Sequence, residues 1–251
     1  MKPIAVFKSG RDRAEHLLKL AELLTNTRQR RMRQDWAKKF KKLMRWRQTE
    51  QIDRVDGKGA VLVLRESANV TSKNFNEEYT SELLRAAHVT IVASLDRYCH
   101  ELIVSRVVAA LGNSKHTQEL RKLAIPAIEV HRAVKHGRKK GARPMNIVRQ
   151  AIQDQLHRDT FQKPDDVVRG LKIIGVDDLW RTCATNMGCT ANDIVSRLTD
   201  IVDRRNKIVH EGDIVRHKRG GKIRYRKITP KQVEKDIIWV GDLVKAIQAA
   251  V

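Results

Sequence analysis

The segment from Thr190 to Gly212 constrains the fold most, because it combines a helix start, a helical apolar stripe and a helix stop. Thr190 followed by Asp193 is typical of a capping box, and Gly212 is a residue type that ends helices in the left-handed conformation. At about 100° per residue, the apolar side chains fall within about 80° of Leu198. They are Ile194, Ile201, Val202, Ile208 and Val209. The sequence therefore predicts one long amphipathic helix that ends near His210.

Similar helical patterns recur along the chain. Apolar spacings of three and four predict a helix from Glu77 to about Leu111, and Thr229-Pro230-Lys231-Gln232 indicates the capped start of a last helix to about Ala249. Shorter helices are predicted over about 117–135 with a break at Pro126, over about 144–158, from Pro164 to a stop at Gly175, and over about 177–187. The fold class is therefore all-α, with a bundle of four to five helices.

The N-terminal part differs from this bundle in its charge. No proline or glycine interrupts residues 12–55, which favours one long helix or a helix pair. Met32, Trp36, Phe40 and Leu43 recur at helical spacing and form one apolar stripe among many cations. Residues 60–64 are a short apolar run that fits a strand or a packed extended piece. We therefore predict a basic helical extension over residues 1–70 and a helical bundle over residues 71–251.

The charge indicates an acidic partner. The 251-residue chain has 51 Lys and Arg against 29 Asp and Glu, a net charge of +22, and residues 1–58 alone have 17 against seven. RNA, DNA and an anionic membrane surface can all neutralise such a charge. Because the cations occupy three separate segments, we favour a long polyanion, RNA, over a membrane-surface helix. The predicted RNA-binding residues are Arg30, Arg31, Arg33, Lys38, Lys41, Lys42, Arg45, Arg138, Lys139, Lys140, Arg219, Lys222 and Arg224.

Other features exclude several classes of protein. Three cysteines cannot form a disulfide scaffold, and Cys183 and Cys189 have no histidine pair at zinc spacing. We therefore predict no metal and no cofactor. No apolar run approaches the roughly 18 residues that span a bilayer, and the first ten residues lack the apolar stretch of a secretory signal. These observations predict a cytoplasmic protein with no membrane partner.

Arg205 breaks the apolar pattern of the 190–210 helix. It falls in the middle of the buried arc, about 20° from Leu198, whereas Asn206 and His210 lie together on the shoulder of that arc. A cation at such a position loses solvation unless it is paired or binds a ligand. Arg205, Asn206 and His210 are therefore the candidate site. The structural alternative is that Arg205 and His210 serve only as cations near the helix C-terminus.

The stretch from Arg204 to Asp213 resembles the Arg-x4–6-His motif of HEPN domains (higher eukaryotes and prokaryotes nucleotide-binding). The resemblance is strongest to the HEPN group associated with RiboL-PSP domains, and it covers roughly residues 75–251. Arg11 and His16 fit the same motif. That pair is expected at the start of a helix, however, whereas the pair at Arg205 is expected at the end of a long apolar-faced helix that another helix follows.

The resemblance implies metal-independent cleavage of RNA to 2′,3′-cyclic phosphate and 5′-hydroxyl ends. In this chemistry His210 moves protons, Arg205 balances charge on the phosphoryl oxygens, and Asn206 orients His210 or contacts phosphate. Because Arg205 and His210 lie about 140° apart on an ideal helix, two motif helices facing each other in a homodimer would complete the site, as in HEPN ribonucleases. The resemblance also implies a toxin or antiphage-defence context, with an antitoxin or other defence partner.

Two alternatives remain open. The chain could be a non-catalytic HEPN module that binds nucleic acid or a nucleotide, or an interaction module that docks an acidic protein. Asp96 and Glu101 are expected on a solvated helix face. Four further histidines are expected to be ordinary helix-face residues: His88, His100, His131 and His157.

Overall fold

A computed structural model describes residues 2–25, 28–57, 59–70, 77–111, 117–137, 144–215 and 223–251. Within these ranges the helices are α1 (Pro3–Leu24), α2 (Gln34–Leu43), α3 (Glu77–Ala110), α4 (Gln118–Lys122), α5 (Ala127–Gly137), α6 (Pro144–Leu156), α7 (Pro164–Lys172), α8 (Leu179–Met187), α9 (Ala191–Glu211) and α10 (Pro230–Ala250). The strands are β1 (Arg28–Arg31), β2 (Ile52–Asp56) and β3 (Val61–Arg65). The predicted all-α class is confirmed.

The predicted helix signals of α9 are confirmed at both ends. The Thr190 hydroxyl accepts a hydrogen bond from the Asp193 amide at 3.1 Å, and the Asp193 carboxylate accepts one from the Thr190 amide at 3.0 Å. These two bonds satisfy amides that have no partner within the helix. At the other end Gly212 has a φ of 59°, the left-handed conformation that glycine adopts without strain. The limits of α9 are therefore set by local chemistry.

Several helix boundaries coincide with prolines. Pro126 separates α4 from α5, as predicted, because a proline inside a helix removes a hydrogen bond and clashes with the preceding turn. Pro144, Pro164 and Pro230 each stand at the first residue of a helix, where the missing amide is not needed. Among the described residues, no helix combines the length and apolarity that crossing a membrane requires.

The prediction of one helix or a helix pair over residues 12–55 is wrong in part. Residues 28–31 and 52–56 form strands instead, and only Gln34–Leu43 between them is helical. The sheet is antiparallel with the order β1-β2-β3, and Ile52 pairs with Arg65. β2 pairs with β1, which precedes α2, and with the neighbouring β3, and its Ile52 and Val55 are buried. The predicted extended run at 60–64 is confirmed as β3.

The chain forms two compact units. The first comprises Met1–Arg13, Val89–Arg226 and Asp236–Val251, and the second comprises Ala14–His88 and Lys227–Lys235. In the first unit the ring of Phe7 meets the ring of Tyr98 edge-on, with centroids 6.1 Å apart, and the Tyr98 hydroxyl donates to Gln248 at 3.2 Å. The units are interleaved in sequence, so the domain boundary after residue 70 stays a prediction.

Candidate active site

The apolar face of α9 is buried in its first turns and becomes accessible toward its end. The buried side chains are Ile194, Leu198, Ile201 and Val202. Ile208 is half-buried, and Val209 is 46 % exposed. Arg205 lies where the helix changes from buried to accessible, and its side chain is half-buried. The cation that interrupts the apolar pattern therefore reaches the surface of the first compact unit.

Asn206 holds Arg205. The Nη1 of Arg205 donates a hydrogen bond to the Asn206 side-chain oxygen at 3.0 Å, while its Nε is buried and makes no hydrogen bond to any described residue. The guanidinium is thus oriented by its neighbour, and part of its donor capacity is left for a ligand. His210, one turn further on, is exposed.

Arg205 lines a cleft of about 600 Å³ in the first compact unit. α3 contributes Asp96, His100 and Glu101 to this cleft, and His157 follows α6. Among the described residues, those that line the cleft do not include His210. The structure therefore brings Arg205 together with two carboxylates and a histidine of α3 and with His157 after α6, and it places His210 outside this group.

Asp96 and His100 are neighbouring residues of the cleft wall. The Asp96 carboxylate accepts a hydrogen bond from the Phe161 amide at 2.6 Å and one from the Gln162 side chain at 3.3 Å. His100 Nε2 lies 3.8 Å from Asp96 Oδ1. Burial lowers the pKa of His100, although the Asp96 charge and a hydrogen bond with the Asp159 backbone act in the opposite direction. His100 therefore favours its neutral form.

The expectation that Asp96 and Glu101 lie on a solvated face, and His100 on an ordinary one, is wrong. Glu101 lines the cleft and pairs with Arg97 at 2.7 Å, and its side chain is only 11 % exposed. A signal was available in the sequence, because Asp96 and His100 lie four residues apart and therefore share one face of a helix. The spacing could not indicate that Arg205 lines the same cleft, because Arg205 lies more than a hundred residues further along the chain.

Arg204 has a structural role. Its Nη2 donates to Asp213 Oδ2 at 2.7 Å, and the Asp213 side chain is fully buried. The Asp213 carbonyl in turn accepts a hydrogen bond from the Arg226 amide at 2.9 Å. These two bonds of Asp213 join the end of α9 to the segment that leads to α10. Arg204 is therefore engaged in the fold, whereas Arg205 faces the cleft.

The second Arg–His pair of the sequence is in a different environment. Arg11 packs against α10 beside Gly241. A Cβ added to that glycine would lie 3.1 Å from the Nη1 of Arg11. His16 is an exposed residue of α1. The guanidinium of Arg11 thus fills the space beside a glycine backbone.

Among the residues that the structure describes, no three His, Cys, Asp or Glu side chains cluster as metal ligands would.

The predicted RNA-binding cations fall into three groups. Arg33, Lys38, Lys42 and Arg45 are exposed in or beside α2, and Arg224 is exposed before α10. Arg30 and Arg31 lie on β1, where the Nε of Arg30 is 3.5 Å from Asp56. The remaining predicted cations lie outside the described residues: Arg138, Lys139, Lys140, Arg219 and Lys222.

Lys41 differs from the other cations of α2. It is buried, and its ammonium donates hydrogen bonds to the backbone carbonyls of Gln48 and Glu50. A lysine in this position stabilises the turn that follows α2. Its charge is used within the protein, so Lys41, unlike its neighbours on α2, does not present its ammonium to RNA.

Comparison with known proteins gives one finding. The model of the family described as RiboL-PSP-HEPN matches residues 62–251, which include the cleft and α9. No curated protein and no solved structure matches the chain significantly. The match confirms the resemblance found in the sequence.

Proposed function

The chain belongs to the RiboL-PSP-HEPN family, and from this we propose that it is a metal-independent endoribonuclease that leaves 2′,3′-cyclic phosphate and 5′-hydroxyl ends. Family membership supports a role connected with nucleic acid. The observation that carries the catalytic proposal is Arg205, a half-buried arginine that is oriented by Asn206 and opens into a cleft. A cation held in this way is prepared for a phosphate before the RNA arrives.

Each residue of the motif has a role in the reaction. The 2′-oxygen attacks the neighbouring phosphorus, and the bond from phosphorus to the 5′-oxygen breaks. Arg205 balances the charge that grows on the phosphoryl oxygens, since a guanidinium presents two parallel donors. Asn206 keeps that guanidinium in place. His210 transfers a proton in the reaction.

A two-fold dimer would complete this site. Arg205 opens into the cleft whereas His210 is exposed and lines another surface, as their separation of about 140° on the helix requires. A second copy facing α9 would supply its His210 to the Arg205 of the first, and the exchange would be mutual. Light scattering of the active protein at micromolar concentration should give the dimer mass. An active monomer would contradict this arrangement.

The cations of α2 would hold the RNA strand. Arg33, Lys38 and Lys42 are exposed, and the ring of Trp36 is 64 % exposed among them. Such a surface combines charges for phosphates with a ring on which a base can stack. The cellular context that we propose is a cytoplasmic toxin or antiphage-defence protein, controlled by an antitoxin or other partner.

One observation favours a second candidate function. Because His210 lies outside the cleft, Arg205 and Asn206 could bind the phosphate of RNA or of a nucleotide without cleavage. The chain would then be a non-catalytic nucleic-acid-binding HEPN module. This candidate predicts RNA binding that depends on Arg205 but no change in RNA length.

The test is cleavage of mixed RNA in EDTA by the full chain. We expect cleavage by the wild-type protein and by His16→Ala, and a loss of about 10²- to 10⁴-fold in His210→Ala, with RNA binding retained. The two histidines are both exposed, so the His16 variant is a matched control for purification and folding. Cyclic-phosphate ends identify the chemistry. Equal activity in all three proteins, or activity that EDTA abolishes, would contradict the proposal.

A further inference from the structure

The cleft beside Arg205 contains His100, a histidine that the Arg-x4–6-His motif does not include. We propose that His100 is a further catalytic residue, the general base that removes the proton from the 2′-hydroxyl of the RNA. This inference rests on the proposed ribonuclease function and concerns the same site. It follows from the position of His100 in the cleft, from its contacts and from its electrostatic surroundings.

The position of His100 is fixed by three contacts. Its ring meets the Phe161 ring edge-on at 4.6 Å, its Nε2 lies 3.8 Å from Asp96, and it shares a hydrogen bond with the Asp159 backbone. Asp96 is itself held by the Phe161 amide. A histidine beside a carboxylate that is fixed by further hydrogen bonds has the arrangement of an oriented base. Its side chain is nevertheless 19 % exposed, so substrate can reach it.

The charges around the cleft decide which proton transfer suits His100. Burial lowers its pKa, the Asp96 carboxylate and the Asp159 backbone raise it, and Arg97 and His157 lower it. The other ionisable groups lining the cleft are Glu101 of α3, Asp154 of α6, Asp159 and Arg205 of α9. A histidine that is neutral at pH 7 can accept a proton, whereas an imidazolium cannot.

Because Arg205 lines the same cleft, each proton transfer and the charge on the phosphoryl oxygens can be assigned to a residue. His100 takes the proton as the 2′-oxygen bonds to phosphorus, and Arg205 faces the phosphoryl oxygens that gain charge. The bond to the 5′-oxygen then breaks with its electron pair on that oxygen, which receives a proton from His210. In the dimer this His210 would come from the second copy. Each histidine returns to its starting state by proton exchange with water.

The experiment compares His100→Gln with His131→Gln in the full chain. Glutamine keeps a side-chain donor for the Asp159 backbone, and His131 is an exposed residue of α5 that does not line the cleft. We expect kcat to fall about 10²- to 10⁴-fold in His100→Gln only. We also expect the acidic limb of its pH–rate profile to disappear. Binding of an RNA with a 2′-deoxy residue at the cleavage position should be unchanged.

A substrate with sulfur in place of the 5′-oxygen separates the two histidines. A thiolate leaves without protonation, so this substrate should restore the rate of His210→Ala and should leave His100→Gln slow. A second variant, Asp96→Asn, keeps the size of the side chain and should shift the acidic limb to lower pH by removing a charge that favours the imidazolium. This variant tests the proposal even if the His100 variant folds poorly.

The outcomes distinguish this inference from the proposed function. If the wild-type chain does not cut RNA, the ribonuclease function fails and His100 has no reaction to serve. If the wild-type chain cuts RNA and His100→Gln cuts at the rate of His131→Gln, only the present inference is overturned. It is also overturned if the sulfur substrate restores His100→Gln, because His100 would then be the acid, or if the Asp96→Asn profile does not move.

Discussion

Replacing Asp213 by asparagine should destabilise the protein substantially, although the change removes only a charge. The Asp213 side chain is fully buried, and it accepts a hydrogen bond from Arg204 at 2.7 Å. Its backbone has a φ of 59°, a conformation in which asparagine is at least as favourable as aspartate. The substitution therefore keeps the side-chain volume and does not strain the backbone. Any loss of stability is then due to the buried charge of Asp213.

The magnitude follows from the burial of the two partners. Removing one partner of a buried ion pair typically costs about 3–5 kcal/mol, because the remaining charge is left in a poorly solvated place. The Arg204 side chain is 17 % exposed and can gain some water, which moves the expected loss to about 3 kcal/mol. For a domain of this size, that loss lowers Tm by roughly 6–12 °C.

The assay is thermal and urea unfolding, with Asp178→Asn as the matched control. Asp178 pairs with Arg181 at 2.9 Å, but the two side chains are 68 % and 82 % exposed. Breaking an exposed pair costs about 0–1 kcal/mol. If Asp213→Asn lowers the free energy of unfolding by no more than Asp178→Asn does, the Arg204–Asp213 pair does not stabilise the end of α9 and the reasoning is refuted.

Three further outcomes are expected. Arg205→Lys keeps the charge but loses the planar pair of donors, and should lower the single-turnover cleavage rate about 10²- to 10³-fold. The triple variant Arg33→Gln/Lys38→Gln/Lys42→Gln should bind single-stranded RNA with a shallower salt dependence, by about 0.7 in the log–log slope for each lost phosphate contact. The wild-type protein should lose stability between about pH 4.5 and 2, as followed by circular dichroism, and Glu50→Gln should remove this loss.

The sign of the Glu50 effect follows from its partner. The hydrogen bond from Arg65 holds the pKa of Glu50 at about 2, below the value of 4.5 expected without the fold. Stability from this carboxylate is therefore present above pH 4.5 and is lost as the pH falls through 2. An acid transition in Glu50→Gln identical to that of the wild-type protein would contradict this assignment.

The two other predictions have matched controls. For RNA binding the control is Lys245→Gln, an exposed lysine of α10 that pairs with Asp242. Its salt slope should equal that of the wild-type protein, and a triple variant with that same slope would show that α2 does not contact phosphate. For Arg205→Lys the control is RNA affinity. A drop in cleavage that is matched by an equal drop in affinity would indicate lost binding rather than lost transition-state stabilisation.

Truncation is less informative than charge neutralisation in this protein. Deleting the basic residues 1–58 would also remove Phe7, which is buried against Tyr98 in the first compact unit. If residues 1–58 were an independent extension, the site would still cut RNA without them. Because Phe7 contacts Tyr98, we expect the deletion to expose the core of the first compact unit instead. Single substitutions on α2 change the charge and leave that core intact.

What the sequence determined was the local structure. The capping box of α9, its glycine stop and the break at Pro126 all depend on residues within four positions of each other. Because helical hydrogen bonds join each residue to the fourth one along the chain, such signals are complete within a short window. For the same reason the wheel of α9 identified Arg205 as a cation in an apolar stripe, and the motif around it identified the family.

Only the tertiary structure decided what surrounds Arg205. Asp96 and His100 are on α3, about a hundred residues earlier, and no spacing in the sequence places them in one cleft with an arginine of α9. The strands β1 and β2 likewise form because residues 28–31 pair with residues 53–56, across the helix that separates them. Contacts of this kind depend on how whole helices and strands pack, since burial and pairing energies are shared among elements distant in the chain.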